Sequence, residues 1–145
     1  MKQRISVRAI IRQDDNILLL QRSTGRQSIL GLYELPGGKI GYEEQAEDAL
    51  RRYLHNDSAL HILTSQLFDA VTYIDHDDRD IQYAVLVYIV SLAEGQHGIT
   101  LSQNYSDYTW ISMSNIQQEN VTDLTQLILG IIEQEKITDQ SMQYV

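Results

Sequence analysis

The chain has 145 residues, 43% of them hydrophobic and none of them cysteine, so it can form one domain with a buried core but no disulfide or thiolate metal site. Its formal net charge of -9 argues against binding to duplex nucleic acid, and a smaller polyanion would need a divalent cation or local cations such as Arg22, Arg26 and Lys39. Because no apolar run could span a bilayer and no signal-peptide pattern is present, we expect a cytoplasmic protein without membrane association.

The first third of the chain predicts short strands. Residues 4–12 alternate between apolar and polar side chains, and Asp14-Asp15-Asn16 predicts the turn of a hairpin whose second strand covers residues 17–22. A polar loop follows, then a short extended segment over residues 32–35 and a turn at Pro36-Gly37-Gly38.

Apolar residues at helical spacing predict a first helix over residues 43–55 with one buried face. Acidic side chains crowd its first turns, where the helix dipole favours negative charge. We expect the helix to end near Asn56-Asp57-Ser58, because these side chains compete for backbone hydrogen bonds.

The second half of the chain is rich in strand patterns. Residues 60–75 and 81–92 predict a long hairpin closed by an acidic turn, and residues 108–111 predict a last short strand before a helix over residues 122–136. The pattern predicts one domain, residues 1–145, of the α/β class with a mixed sheet.

Residues 38–60 resemble the signature of the Nudix family, G-x5-E-x7-R-E-U-x-E-E-x-G-U, in which U is an aliphatic residue. The lead-in over residues 33–38 is also similar to that of the family, which carries an aromatic residue before Glu-Leu-Pro-Gly-Gly. The signature positions that this chain keeps are Gly38, Glu44, Arg52, Leu54 and Leu60.

The resemblance implies a Nudix-type α/β/α sandwich with a mixed central sheet, and a possible homodimer. It implies hydrolysis of nucleoside diphosphate derivatives by an attacking water with Mg²⁺ or Mn²⁺. On this reading Glu44 pairs with Arg52 in the catalytic region. The residues expected to contact the substrate are Gly37, Gly38 and Lys39 at its phosphates and Tyr33 at its base.

The departures from the signature fall where the family binds its metal. Three glutamates of the family are replaced here by Tyr53, Asn56 and Asp57, and its late glycine by Ala59. On a helix the first three positions share roughly a 100° sector, where three carboxylates would suit Mg²⁺. A neutral phenol and an amide bind Mg²⁺ poorly, so we expect Asp57 to be the surviving catalytic metal ligand.

Glu43, Glu44 and Glu47 are the candidates to help Asp57 hold a displaced metal, although a solvated helix start is the better explanation of these acidic residues. Three functions remain open. The first is a Nudix hydrolase with weakened chemistry, the second an inactive domain that binds a nucleotide or a partner, and the third a structural dimerisation domain.

Overall fold

The computed structural model describes residues 1–75, 77–95, 98–115 and 120–135. Two predictions fall partly outside these residues, since His76 belongs to the acidic turn and Lys136 to the end of the last helix.

A mixed seven-stranded sheet forms the centre of the molecule, with the strand order β3-β2-β1-β6-β5, and with β4 paired to β1 and β7 paired to β2. The strands are β1 (Lys2–Gln13), β2 (Asn16–Arg22), β3 (Tyr33–Glu34), β4 (Gly37–Lys39), β5 (Ile62–Ile74), β6 (Ile81–Leu92) and β7 (Tyr105–Ser112).

Strand β1 holds the two halves of the sheet together. It runs parallel to β6 from Lys2 to Ile11, but it pairs with β2 only beside the hairpin turn, at Arg12 and Gln13. Beyond that point β1 and β2 part, and the short strand β4 pairs with β1 instead. This parting of two neighbouring strands opens the sheet at one end.

The two helices, α1 (Ala46–Ser58) and α2 (Asp123–Gln134), cover opposite faces of the sheet. Leu50 and Leu54 of α1 are fully buried in one apolar cluster, whereas Ile128 and Leu129 of α2 are buried in the other. Side chains alternate between the faces of a strand, so the apolar residues of β1 and β2 serve both clusters. The predicted α/β/α sandwich is confirmed.

Helix α1 lies three residues later in the chain than predicted. Glu43 has φ = 62°, which is incompatible with a right-handed helix, so α1 begins at Ala46 after the N-cap Gln45. At the other end the side chains expected to stop the helix have other partners. Ser58 Oγ donates to Leu54 O at 2.7 Å within the helix, and Asp57 is bonded to a neighbouring loop.

Ala59 ends α1 instead, in the left-handed conformation with φ = 60° and ψ = 27°. The predicted turn at residues 36–38 also differs, because Gly37 and Gly38 are strand residues that pair with β1. The possible homodimer stays a prediction. Within the described residues, neither helix is long and apolar enough to cross a membrane.

Candidate ligand-binding site

A cavity of about 850 Å³ lies at the open end of the sheet, where β1 and β2 part. Strand β4 and the inner face of α1 form one wall, and the ends of β5 and β6 form the opposite wall. The volume lies in the range of small-molecule sites, about 300–1,000 Å³. The polar and aromatic side chains of its lining include Arg8, Arg22, Arg26, Glu34, Lys39, Tyr53, Asp57, Tyr73, Asp75 and Tyr83.

Two arginines share one buried carboxylate at the floor of the cavity. Glu34 Oε2 lies 3.4 Å from Arg8 Nη1 and 3.5 Å from Arg22 Nη1. The same oxygen accepts a hydrogen bond of 2.6 Å from Tyr105 Oη. Burial and the charge of Glu34 raise the pKa of Tyr105, so its hydroxyl stays protonated and remains a donor. The floor therefore carries one more positive charge than negative.

The wall formed by β5 and β6 is aromatic and acidic. Tyr73 and Tyr83 stack with their ring centroids 5.4 Å apart and their planes 17° apart. Beside them Arg26 Nη1 donates to Asp75 Oδ1 at 2.9 Å. Burial tends to raise the pKa of Asp75, but Arg26 and two backbone N–H groups outweigh it and hold the pKa below its usual range. Asp75 is thus an ionised anchor for Arg26.

Strand β4 requires glycine because it lies close to its neighbours. A Cβ on Gly37 would lie 2.0 Å from Val7 O, and its φ of 141° is strained for any other residue. A Cβ on Gly38 would lie 2.4 Å from Tyr53 Cζ. The ring of Tyr53 is therefore packed directly on the Gly38 backbone.

Tyr53 is fixed in this place by two further contacts. Its hydroxyl donates to Lys39 O at 2.8 Å, and Arg52 Cζ lies 4.4 Å from its ring centroid. Tyr53 thus links α1 to β4 where the signature has an anionic metal ligand.

Asp57 is 9% exposed and lines the cavity, but its carboxylate already has partners. Its Oδ1 accepts hydrogen bonds from Ser102 Oγ at 2.8 Å and Asn104 Nδ2 at 3.3 Å. Asn56 is exposed. Among the described residues, no three or more acidic or histidine side chains are arranged to hold a metal ion. One carboxylate beside a phenol does not fit Mg²⁺, which needs several hard oxygen ligands.

Glu44 and Arg52 form the ion pair that the resemblance implies. Arg52 Nε and Nη2 donate to the two carboxylate oxygens at 2.8 and 2.9 Å, and Gly41 N donates at 2.9 Å. Arg52 foremost, together with the Gly41 N–H, lowers the pKa of Glu44 to about 2. The pair fixes the loop before α1 to the helix.

The structure brings only some of the predicted site residues together. Those that line the cavity are Gly37, Gly38, Lys39 and Asp57, whereas Tyr33, Glu43 and Glu47 are absent from its lining. The hydroxyl of Tyr33 instead donates to Asp107 Oδ2 at 3.0 Å.

The predicted metal ligands are separated in space. Glu47 precedes Asp57 by ten residues on the same helix, which places them about 15 Å apart along its axis. Glu43 lies still further back, before the helix begins. This separation disfavours one cation shared by all three carboxylates, and Asp57 as a metal ligand helped by Glu43 or Glu47 stays a prediction.

Sequence reasoning found Arg22 at the floor of the cavity but missed the other two charged residues, Arg8 and Glu34. In the sequence Arg8 is only the polar half of an alternating strand, and Glu34 only part of the lead-in. The burial of Arg8 follows from the pairing of β1 with β4 and β6, which local patterns do not show. The pairing of Tyr73 with Tyr83 likewise depends on the register of β5 and β6.

The chain belongs to the NUDIX family, since the family model described as NUDIX domain matches residues 2–128. A nucleoside triphosphatase NudI from Escherichia fergusonii is 28% identical over 126 residues, which cover 81% of this chain and 88% of the relative. The NudI of Klebsiella pneumoniae is 22% identical over 123 residues, covering 81% and 87%.

Solved structures share the fold. The MutT NUDIX hydrolase from Burkholderia pseudomallei has a TM-score of 0.75 and 22% identity, covering 90% of this chain and 98% of that one. The NUDIX domain of Shewanella oneidensis NrtR, complexed with ADP ribose, has a TM-score of 0.73 and 21% identity, covering 95% and 90%.

Proposed function

We propose that this NUDIX domain binds a nucleoside diphosphate derivative in the cavity and holds it without a divalent cation. The observation that carries the proposal is the placement of Tyr53. Its ring covers Gly38 and its hydroxyl bonds Lys39, so a neutral group stands where the family signature has a metal ligand. Binding of the ligand is then a task for side chains of the protein.

The cations of the cavity support this proposal. Among the described residues, four cations line it: Arg8, Arg22, Arg26 and Lys39. Lys39 lies on β4, whereas Arg8 lies on β1, Arg22 at the end of β2 and Arg26 in the loop that follows β2. Guanidinium groups bind phosphate oxygens in bidentate geometry and keep their charge at any physiological pH. They can neutralise a diphosphate locally although the whole chain has a formal charge of -9.

Six carboxylates of the described part of the chain also line the cavity, so the proposal depends on where the cations lie and not on a positive total: Glu34, Asp57, Asp75, Asp77, Asp78 and Asp123. Among them, Glu34 is held by Arg8 and Arg22, and Asp75 by Arg26. What remains for a ligand is the guanidinium groups and the tyrosine pair.

The tyrosine pair suits the other end of such a ligand. Aromatic rings stack on nucleobases through their faces, and each stacked base adds affinity whatever its sequence identity. Two relatives point to the same ligand class, since one is called a nucleoside triphosphatase and another was crystallised with ADP ribose.

Weak hydrolysis is the second candidate function. Asp57 lines the cavity and the Glu44–Arg52 pair is intact, so part of the catalytic frame of the signature is present. Mg²⁺ or Mn²⁺ would act in this reading, with Asp57 as the ligand at hand. The binding function is favoured because the remaining side chains do not form a metal site.

The two functions differ in turnover. We would incubate the protein with ADP ribose and nucleoside triphosphates, with Mg²⁺, Mn²⁺ or EDTA, and measure both products and ligand-induced thermal shifts. The binding function predicts thermal shifts in all three conditions and no product above background. Metal-dependent product formation that Asp57→Asn abolishes would establish the hydrolase instead.

A further inference from the structure

Arg8 has a buried donor that the protein does not use. Its side chain is 16% exposed and lines the cavity. Nη1 donates to Leu35 O at 2.7 Å and lies 3.4 Å from Glu34. Nε is buried and has no hydrogen-bond partner among the described residues. A buried N–H without an acceptor is costly, and most such groups in proteins have a partner.

The charge of the floor is also incomplete. Glu34 is the carboxylate with the strongest electrostatic effect on Arg8. Arg22 Nη1 lies almost as near to Glu34 Oε2 as Arg8 Nη1 does. Two guanidinium groups that share one carboxylate leave a surplus positive charge in a poorly solvated place. An anion bound there would be stabilised more than at the surface, because the local dielectric constant is low.

The position of Arg8 relative to β4 says which part of a ligand could reach it. Arg8 is the register partner of Gly37, and both residues line the cavity. Gly37 is buried and the ring of Tyr53 packs on Gly38, so the guanidinium of Arg8 is the donor beside β4 that the anionic part of a ligand can meet.

We propose that Arg8 binds the ligand directly, and that the part of its guanidinium group that lines the cavity donates to an oxygen of the diphosphate. This proposal rests on the proposed function and adds the residue that recognises the anionic part of the ligand. Arg8 lies outside the signature region, on the central strand of the sheet. The phosphates are then bound by a residue of β1 and not by a metal held on α1.

The alternative is that Arg8 only ties Leu35 and Glu34 to β1. Arg8→Lys separates the two roles, because lysine keeps the charge and can still reach a carbonyl or carboxylate, but lacks the planar guanidinium group that can donate to Leu35 O and to a ligand at the same time. Arg4→Lys is the matched control, since Arg4 lies on the same face of β1 and outside the cavity.

The test is calorimetric titration of the wild type and both variants with ADP and with inorganic pyrophosphate, in EDTA. We expect Arg8→Lys to weaken the binding of both ligands by roughly tenfold or more, as expected for the loss of one charge-assisted hydrogen bond. Arg4→Lys should change neither affinity. Thermal unfolding of each variant checks that it folds. If Arg8→Lys does not fold, Arg8→Gln replaces it, with the same expected loss.

Each other outcome has a definite meaning. Unchanged affinity of Arg8→Lys for ADP would overturn the role of Arg8 and leave the proposed function standing. Weaker binding of ADP together with unchanged binding of pyrophosphate would overturn the contact of Arg8 with the diphosphate. A wild type that binds neither ligand would overturn both the proposed function and this inference.

Discussion

Tyr53 shows how one side chain can replace a signature residue while the frame around it stays in place. The phenol ring packs on Gly38 and bonds Lys39, so it holds α1 against β4. An anionic side chain at the same position would lack the ring that covers Gly38. The residue thus supports the wall of the cavity at the position where the family signature has a glutamate.

The contact between Tyr53 and Gly38 can be measured by a double-mutant cycle. The backbone of Gly38 has no positive φ that would strain another residue. A loss of stability in Gly38→Ala should therefore come from the contact of the new Cβ with the ring of Tyr53. We expect a loss of about 1–3 kcal/mol in the wild type, as for overpacking. In a Tyr53→Ala background the same change should cost much less. Urea unfolding of the four proteins gives the comparison, and equal costs in both backgrounds would contradict the contact.

The ion pair of Glu44 makes the stability of the folded protein depend on pH in the acidic range. Its pKa in the folded protein is about 2, below the ordinary value of 4.5, so its pairing stabilises the fold fully above pH 4.5. This stabilisation is lost as the pH falls from 4.5 towards 2. We expect the wild type to lose more stability than Glu44→Gln between pH 6 and pH 3. Urea midpoints at both pH values test this, and parallel losses would show that the ion pair contributes nothing.

The chemistry of the cavity lay beyond reach of the sequence for a physical reason. Gly38 and Arg52 could be placed by their spacing, because they lie near each other along the chain. Arg8 and Tyr83 come from distant segments and reach the same cavity only through the register of a mixed sheet. That register depends on packing across the whole molecule, which local patterns do not specify.

The elements themselves were largely predictable. Alternation and helical spacing gave the first hairpin, the long β5–β6 hairpin and both helices, because each buries one face or side. The ends of α1 were missed, since they depend on where its polar side chains find partners. Ser58 bonds within the helix and Asp57 bonds Ser102, so neither stops it.

The end of α1 supplies a prediction about stability. Ala59 is held at φ = 60°, a conformation that costs a residue with a Cβ about 1 kcal/mol or more. The family signature has glycine at this position. We expect Ala59→Gly to stabilise the protein by about 1 kcal/mol, because glycine adopts this conformation without strain.

A matched control lies at the other end of the same helix. Ala46 has helical backbone and packs against the apolar cluster on this face, so Ala46→Gly should destabilise by about 1 kcal/mol or more. Opposite signs for the two substitutions, measured by thermal unfolding, are the expected result. A loss of stability from both would show that the left-handed backbone at Ala59 carries no strain.

At the scale of the whole molecule, the separation of β1 and β2 is the feature of the fold that makes room for the cavity. Because β4 replaces β2 as the neighbour of β1, the sheet opens beside α1 and exposes the interior to a ligand. The overall charge of -9 would repel an anion, and six carboxylates of the described residues line the cavity beside its four cations, so binding depends on the places of Arg8, Arg22 and Arg26. Local arrangement of charge therefore matters more here than the total.

The central claim is that the cavity holds a nucleoside diphosphate derivative through its own cations. The most direct measurement is calorimetric titration of the protein with ADP ribose, once in EDTA and once in Mg²⁺, with analysis of the cell contents afterwards. The account predicts dissociation constants that agree within about threefold, since a change below about 1 kcal/mol means no linked cation, and ADP ribose recovered intact. Binding that appears only with Mg²⁺, or ADP ribose cleaved to AMP during the titration, would contradict it.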